Sequence, residues 1–140
     1  MQTFLPYASF ADSAKALDRQ RLGKQRIEAL QILRTLRGLS FSWRNHPAVL
    51  MWRGCEGALA AYGLAVCEEW TRRGYKDRCA AQIAALGKRL RIAAPPWLGK
   101  ERLHRSHQSN LVRKLPGHYR LLWPDIPDDL PYFWPVTKED

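Results

Sequence analysis

The sequence has few of the features that mark a secreted or membrane-embedded protein. Its 140 residues include only three cysteines, an odd number without Cys-x-x-Cys spacing, so we expect neither a disulfide framework nor a cysteine zinc site. No stretch approaches the ~18 consecutive apolar residues of a membrane-spanning helix. The N-terminus also has no charged region followed by an apolar core, as a secretory signal would. We therefore expect a cytoplasmic protein with reduced cysteines.

Acidic residues are scarce where basic residues concentrate. The chain has 23 lysines and arginines against 13 acids, a formal net charge of +10. Residues 19–37 hold six basic side chains against Glu28 alone, and residues 88–114 hold eight against Glu101, whereas the last sixteen residues hold five acids. Two basic segments and an acidic tail predict a polyanion-binding surface, for which nucleic acid is the best partner. A basic membrane-surface helix is the rival, and the lack of a wide, continuous apolar face disfavours it.

Helix-start and helix-stop residues predict an all-α fold, a single-domain helical bundle spanning residues 1–140. Residues 121–135 are rich in proline and aromatic residues, which forbids a long helix and predicts an extended strap with its rings turned inward. Residues 1–8 are expected to form an irregular segment whose start is free. Helices are predicted to begin near Ser9–Asp12 and then to cover 19–37, 46–73 as the longest and central helix, 77–86 and 101–114.

Three glycines, Gly54, Gly57 and Gly63, fall inside the predicted helix over 46–73. A glycine in a helix interior costs about 1 kcal/mol relative to alanine, so its presence needs a reason. We expect these glycines to mark the close approach of neighbouring segments.

The first long helix has one polar, cationic face that contains a single acid. At 100° per residue, the side chains that share this face are Arg21, Lys24, Gln25 and Glu28. Such a surface suits a phosphodiester substrate, with Glu28 as the acid available for proton chemistry. The alternative is that Lys24 and Glu28 form an ordinary i,i+4 ion pair on a solvated helix.

The predicted helix over 101–114 carries two histidines, His104 and His107, three residues apart. They could begin a metal site, but a third and a fourth ligand are missing nearby, so we expect no metal. Phosphate contacts are a better use of its many short polar side chains, and the alternative is that the histidines hydrogen-bond the strap or a loop. The candidate nucleic-acid ligands are Arg19, Arg21, Gln25, Arg26, Arg44, His46, His104, Ser106, His107, Asn110, Arg113 and Lys114.

Several sequence blocks carry a resemblance to a known family. They are Arg-Gln-Arg-Leu-Gly-Lys-Gln-Arg at 19–26, His-Pro-Ala-Val-Leu-Met-Trp at 46–52, Ser-His-Gln-Ser-Asn-Leu-Val-Arg-Lys at 106–114 and Leu-Pro-Tyr-Phe-Trp-Pro at 130–135. On these blocks the chain resembles the pyrimidine-dimer DNA glycosylase (endonuclease V) family, and more closely its bacterial and phage branch. The resemblance implies a mostly helical domain that acts on double-stranded DNA carrying a damaged or modified base.

The chemistry that the resemblance implies is attack of the chain's own α-amine on C1′ of the damaged nucleotide. A Schiff base forms as the glycosidic bond breaks, and β-elimination can then cut the strand as an abasic-site lyase. Glu28 falls on the family's catalytic glutamate. Because Gln2 should block removal of the initiator methionine, the amine would be that of Met1. An α-amine ordinarily has a pKa of about 8, so part of it is neutral and nucleophilic at pH 7. Lys24 is the alternative nucleophile.

The chain departs from the family pattern next to the glutamate. Where the family has an arginine directly before it, this chain has Ile27, with Arg26 one place earlier, so phosphate contacts must be shared differently. Trp43 or Trp52 could support an opened base, and Trp52 is the more typical of a core.

We expect a DNA-repair glycosylase associated with the nucleoid, which acts as a monomer without a cofactor or a membrane partner. The alternative from another functional class is a non-catalytic nucleic-acid-binding protein of the same fold. A third hypothesis is an enzyme that acts on RNA or on modified bases.

Overall fold

Helices provide all the regular secondary structure of residues 1–136, the range that the computed structural model describes. The predicted all-α fold is confirmed. Residues 137–140, which end the acidic tail, lie outside the described residues. Within residues 1–136, no helix combines the length and the apolarity needed to cross a bilayer. The helices described are α1 (Phe10–Ala16), α2 (Arg19–Leu36), α3 (Pro47–Leu50), α4 (Glu56–Arg72), α5 (Ala80–Leu86), α6 (Glu101–Lys114) and α7 (Pro116–Tyr119).

The centre of the fold is the packing of α2 on α4, with α1 and α5 also against α4. Asp18 begins α2, and its side chain accepts a hydrogen bond from the Arg21 amide, which satisfies a backbone donor that a helix start leaves free. Leu22, Ile32 and Leu33 of α2 are fully buried in the core. Burial of this apolar side fixes the rotation of α2 and therefore the direction of its polar face.

The predicted continuous helix over 46–73 is wrong, because the structure divides it into α3 and α4. Gly54 lies between them with φ of +82°, in the left-handed region that ends a right-handed helix. The longest described helix is therefore α2, with 18 residues against 17 in α4. The other two glycines do mark close neighbours: a Cβ on Gly57 would lie 2.1 Å from the Arg91 carbonyl oxygen, and one on Gly63 would lie 3.0 Å from an α5 side chain.

The expected free start of the chain is also wrong, because residues 2–6 are buried between helices. The Leu5 amide donates to Nδ1 of His107 at 2.9 Å, and the Leu5 carbonyl oxygen lies 2.8 Å from Nδ1 of His104. The two histidines of α6 thus hold the N-terminal segment by its backbone. This is the loop-binding role that the sequence left open as the alternative to phosphate contact.

Residues 120–136 form the extended strap that their proline content predicts. Trp123 is buried and stacks on Tyr119, with ring centroids 5.6 Å apart and planes within 1° of parallel. Two side chains of α6 hold the strap backbone, since the Ser109 hydroxyl accepts from the Leu130 amide at 3.0 Å and the Ser106 hydroxyl from a strap amide at 3.2 Å. The strap therefore closes the side of the molecule next to α6.

Candidate active site

A cavity of about 380 Å³ opens between the N-terminal segment, α2, the end of α6 and the strap. Its volume lies in the range of ordinary small-molecule sites. The polar face of α2 supplies half of the wall. The lining residues are Met1, Gln2, Phe4, Gln20, Arg21, Lys24, Gln25, Glu28, Lys114 and Tyr132.

Gln25 makes four hydrogen bonds, two of which connect the N-terminal segment to α2. Its Oε1 accepts from the Phe4 amide at 2.9 Å and from the Tyr62 hydroxyl at 2.6 Å. Its Nε2 donates to the Gln2 carbonyl at 2.8 Å and to Oε2 of Glu28 at 2.9 Å. The side chain is buried and fully used, so it is not free for the phosphate contact predicted for it. Gln25 instead fixes the start of the chain beside Glu28.

Within residues 1–136, Glu28 is the single acid that lines the cavity. It is 8% exposed, and its Oε1 lies 3.9 Å from Nζ of Lys24. The Lys24 side chain is 73% exposed, so this long ion pair stabilises the helix only slightly. The ion pair expected from the i,i+4 spacing is therefore present, and it leaves the carboxylate open to a partner in the cavity.

Cations surround this carboxylate on the cavity wall. They are Arg21 and Lys24 from α2 and Lys114 from the last turn of α6. Arg21 is oriented by Asp18, whose Oδ1 lies 3.3 Å from Nη1. Burial opposes ionisation of Asp18, but hydrogen bonds from Tyr119 and Arg21 outweigh it and hold the pKa of Asp18 below its usual value. A cationic rim around one acid suits a phosphate backbone with a reacting sugar carbon between the phosphates.

The α-amine of Met1 lies close enough to His46 to act on it electrostatically. Burial first, and the positive charge of this amine second, lower the pKa of His46. Nδ1 of His46 accepts from the Ala48 amide at 3.0 Å and so caps α3. Its ring lies edge-on to Trp43 and to Trp134, with centroids 5.8 and 5.7 Å away. His46 therefore serves as a helix cap and an aromatic neighbour, and that capping nitrogen is not available to a phosphate.

Arg26, a predicted phosphate ligand, lies outside the cavity wall, and its guanidinium is engaged inside the fold. Its Nη1 lies 2.6 Å from Oδ1 of Asp77, and its guanidinium lies 4.4 Å from the Trp70 ring centroid. Burial opposes ionisation of Asp77, but hydrogen bonds from Arg26 and from the Ala80 and Cys79 amides together outweigh it and lower the pKa of Asp77. Removing Arg26 would leave a buried carboxylate without its cation, so the pair serves the fold.

Four predicted ligands of α6 are also buried and engaged inside the fold: His104, Ser106, His107 and Asn110. The histidines bind the N-terminal segment, while Ser106 and Asn110 bind backbone groups of α6 and the strap. Burial, and secondarily the charge of His104, lower the pKa of His107 to about 3. In the described range no three His, Cys, Asp or Glu side chains are grouped as metal ligands. These four residues assemble the walls of the cavity and do not line it.

Three further predicted arginines also lie outside the cavity wall. Arg19 and Arg44 are exposed, on the first turn of α2 and on the loop before α3. Arg113 donates to the Asp128 carbonyl at 2.6 Å and to the side chain of Asn110, so it ties α6 to the strap. Of the predicted α6 ligands, only Lys114 lines the cavity.

Sequence reasoning missed four of the lining residues. Gln20 lies one turn before Lys24, so the same helical spacing would have placed it on the polar face. Gln2, Phe4 and Tyr132 belong to irregular segments, where no periodicity indicates which side chain faces a site.

The fold and the cavity define a class: a helical protein whose cationic cavity holds one acid and the start of the chain. A family model described as pyrimidine dimer DNA glycosylase matches residues 1–83, more than half of the chain, and the chain belongs to that family. The resemblance read from the blocks at 19–26 and 46–52 is confirmed. The family name indicates a DNA glycosylase of DNA repair, with damaged DNA as its substrate. None of the curated proteins and none of the solved structures matches the chain.

Proposed function

We propose that this chain, acting as one domain, removes a damaged base from double-stranded DNA by amine catalysis. The α-amine of Met1 is the nucleophile, Glu28 is the proton carrier, and strand cleavage at the abasic site is a second activity. The observation that supports this proposal is the hydrogen-bond set of Gln25, which places the first residues and Glu28 on one cavity wall.

The Met1 α-amine and the Glu28 carboxylate supply the nucleophile and the proton transfers that the proposed reaction needs. The neutral amine forms a bond to C1′ as the glycosidic bond breaks, and the base leaves with the bonding electrons and then takes up a proton. Glu28 accepts a proton from the attached nitrogen and returns it to the ring oxygen O4′ as the C1′–O4′ bond opens, which gives the Schiff base. Loss of a proton from C2′ and departure of the 3′ phosphate would complete the lyase step.

Met1 is a better nucleophile than Lys24 on structural grounds. Met1 is half-buried in the cavity wall, whereas the Lys24 side chain is 73% exposed. A lysine nucleophile needs desolvation or strong cationic neighbours to become neutral near pH 7. Because the Lys24 side chain is exposed, it is not desolvated. In the proposal Lys24, Arg21 and Lys114 hold the phosphates on either side of the reacting sugar.

Borohydride trapping tests the proposal. Reduction during reaction with abasic-site DNA should freeze a covalent protein–DNA adduct that maps to the peptide beginning Met1-Gln2-Thr3. A short N-terminal extension should abolish trapping and leave DNA binding intact, while the same extension at the C-terminus should have no effect. An adduct on Lys24, lost in Lys24→Ala and kept in the exposed-residue control Lys15→Ala, would move the chemistry to that side chain.

Complete absence of an adduct with abasic and lesion duplexes would contradict amine catalysis. Release of base without an adduct would then indicate activated water as the nucleophile. Binding without release of any base would favour the non-catalytic nucleic-acid-binding protein.

A further inference from the structure

An exposed aromatic loop, residues 39–45, joins α2 to α3. Phe41 is 78% exposed and Trp43 is 55% exposed, although rings of this size usually bury most of their surface. The guanidinium of Arg44 lies 5.9 Å from the Phe41 ring centroid. The loop therefore presents two large rings and a cation to the outside of the protein.

Hydrogen bonds within and behind the loop hold these rings out. The Thr35 hydroxyl of α2 donates to the Ser42 carbonyl at 2.9 Å, which ties the loop tip to the helix. The Ser42 amide donates to the Ser40 hydroxyl at 3.2 Å, and the His46 amide donates to the Trp43 carbonyl at 2.8 Å. Trp43 has φ of +62°, a left-handed conformation that is unfavourable for a bulky residue. The exposed Trp43 ring is therefore held on a strained backbone.

The aromatic loop stands on the same side of α2 as the cavity. Thr35, which anchors it, follows Glu28 by seven residues and so lies on the same helical face, about 10 Å further along the axis. That separation corresponds to roughly three nucleotide steps of a DNA strand. A row of rings also connects the two places, since Trp43, His46, Trp134 and Tyr132 follow one another with centroids 5.7 to 5.8 Å apart, and Tyr132 lines the cavity.

The charge around the aromatic loop favours a polyanion as its partner. No acidic residue occurs in the sequence between Glu28 and Glu56, and the four basic residues in that interval are Arg34, Arg37, Arg44 and Arg53. Exposed rings beside arginines match a stack of nucleobases between phosphates, where rings replace base stacking and cations meet the backbone.

We propose that the aromatic loop is a wedge that enters the base stack of the DNA duplex about three nucleotides from the one held in the cavity. In this proposal the Phe41 ring occupies the position of a displaced base in the stack, and Trp43 supports the Phe41 ring from the protein side. The identity of the partner rests on the proposed function. Opening the stack at this point would bend the duplex, which helps the damaged nucleotide to leave the stack and enter the cavity.

Fluorescence of 2-aminopurine tests the wedge separately from the chemistry. The duplex carries a tetrahydrofuran abasic analogue, which cannot form a Schiff base, with 2-aminopurine about three positions away along the strand. Binding of the full chain should raise the emission by roughly twofold or more, because unstacking removes the quenching by adjacent bases. Phe41→Ala and Trp43→Ala should abolish the rise, Trp43→Phe should keep most of it, and the matched exposed-residue control Leu121→Ala should keep all of it.

The proposal would be overturned if both alanine variants still raised the emission as much as the wild type does, with duplex binding and thermal unfolding intact. Loss of anionic-vesicle binding or of self-association in those variants without any change in emission would also overturn it, since the loop would then serve a membrane or a second copy. Failure of the proposed function has a different signature: no trapped adduct and no base release, while the emission still rises and still depends on Phe41.

Discussion

Gln25 donates a hydrogen bond from Nε2 to Oε2 of Glu28 at 2.9 Å, one turn further along α2. The same nitrogen donates to the Gln2 carbonyl at 2.8 Å. One buried carboxamide therefore sets both the rotamer of the acid and the position of the chain's first residues. In the proposed reaction these are the proton carrier and the nucleophile, so Gln25 acts on catalysis through their geometry.

Gln25→Leu should both destabilise the protein and release its N-terminal segment. The substitution leaves the Phe4 amide and the Gln2 carbonyl buried without partners, so we expect a loss of about 2–4 kcal/mol in the free energy of unfolding. Hydrogen exchange at the Phe4 amide should accelerate, and borohydride trapping should fall under conditions where the variant stays folded. Gln31→Leu, at an exposed position of the same helix, is the control and should change stability little. Unaltered exchange at Phe4 would show that other contacts hold the segment.

His107→Asn should make stability less sensitive to acid. Burial lowers the pKa of His107 to about 3 in the folded state, against an ordinary pKa of about 6.5. Between these values the unfolded chain binds a proton that the folded chain does not, so this histidine makes stability fall as the pH decreases below 6.5. The effect is at most about 1.4 kcal/mol per pH unit.

Urea unfolding at pH 7 and at pH 5 measures that contribution. Both pH values lie above the range where carboxylates ordinarily titrate. Asparagine can still accept from the Leu5 amide, so the variant should remain folded while its stability changes less between the two pH values than that of the wild type. Equal changes in the two proteins would mean that the ring of His107 is reached by solvent.

Local signals predicted the bounds of α2 and α6 well, because the causes of helix ends are local. Glu101 and Lys114 bound α6 as the sequence predicts, since Gly99 precedes the helix and Pro116 follows it within two residues. The polar face around Glu28 was equally accessible from the sequence. Gly54 was misread because a glycine that turns the chain and a glycine that admits a neighbour look the same in sequence, whereas Gly57 is of the second kind.

The partners of the buried polar residues could not be predicted, because they are distant in sequence. Gln25 binds the Phe4 amide 21 residues away, and His107 binds the Leu5 amide 102 residues away. Helical periodicity indicates only that such a side chain is polar and on a given face. The same polar face can meet solvent, DNA or a buried backbone segment, and only the packing of the N-terminal segment decides among these.

Lys114→Ala and Arg113→Ala should have separable effects, although the residues are adjacent. Lys114 lines the cavity, so its loss should reduce the dependence of log K on log salt for duplex DNA by about 0.9, the value for one phosphate contact. Arg113 holds the Asp128 carbonyl, so its loss should leave that slope nearly unchanged and accelerate hydrogen exchange in residues 128–133. Equal changes of slope in both variants would place Arg113 at the DNA as well.

Glu28→Gln isolates the charge of the proposed proton carrier. Glutamine keeps the size and the helix propensity of glutamate, and its amide can still accept from Gln25, so folding should be retained. DNA affinity should stay the same or rise, because a negative charge facing phosphates is removed. Base release measured in single turnover should fall by at least ~10²-fold, since within residues 1–136 no other acid lines the cavity. Glu68→Gln, on an exposed position of α4, removes the same charge elsewhere and should leave the rate unchanged. If base release survived in Glu28→Gln while stability fell by a few tenths of a kcal/mol, Glu28 would be only the helical partner of Lys24.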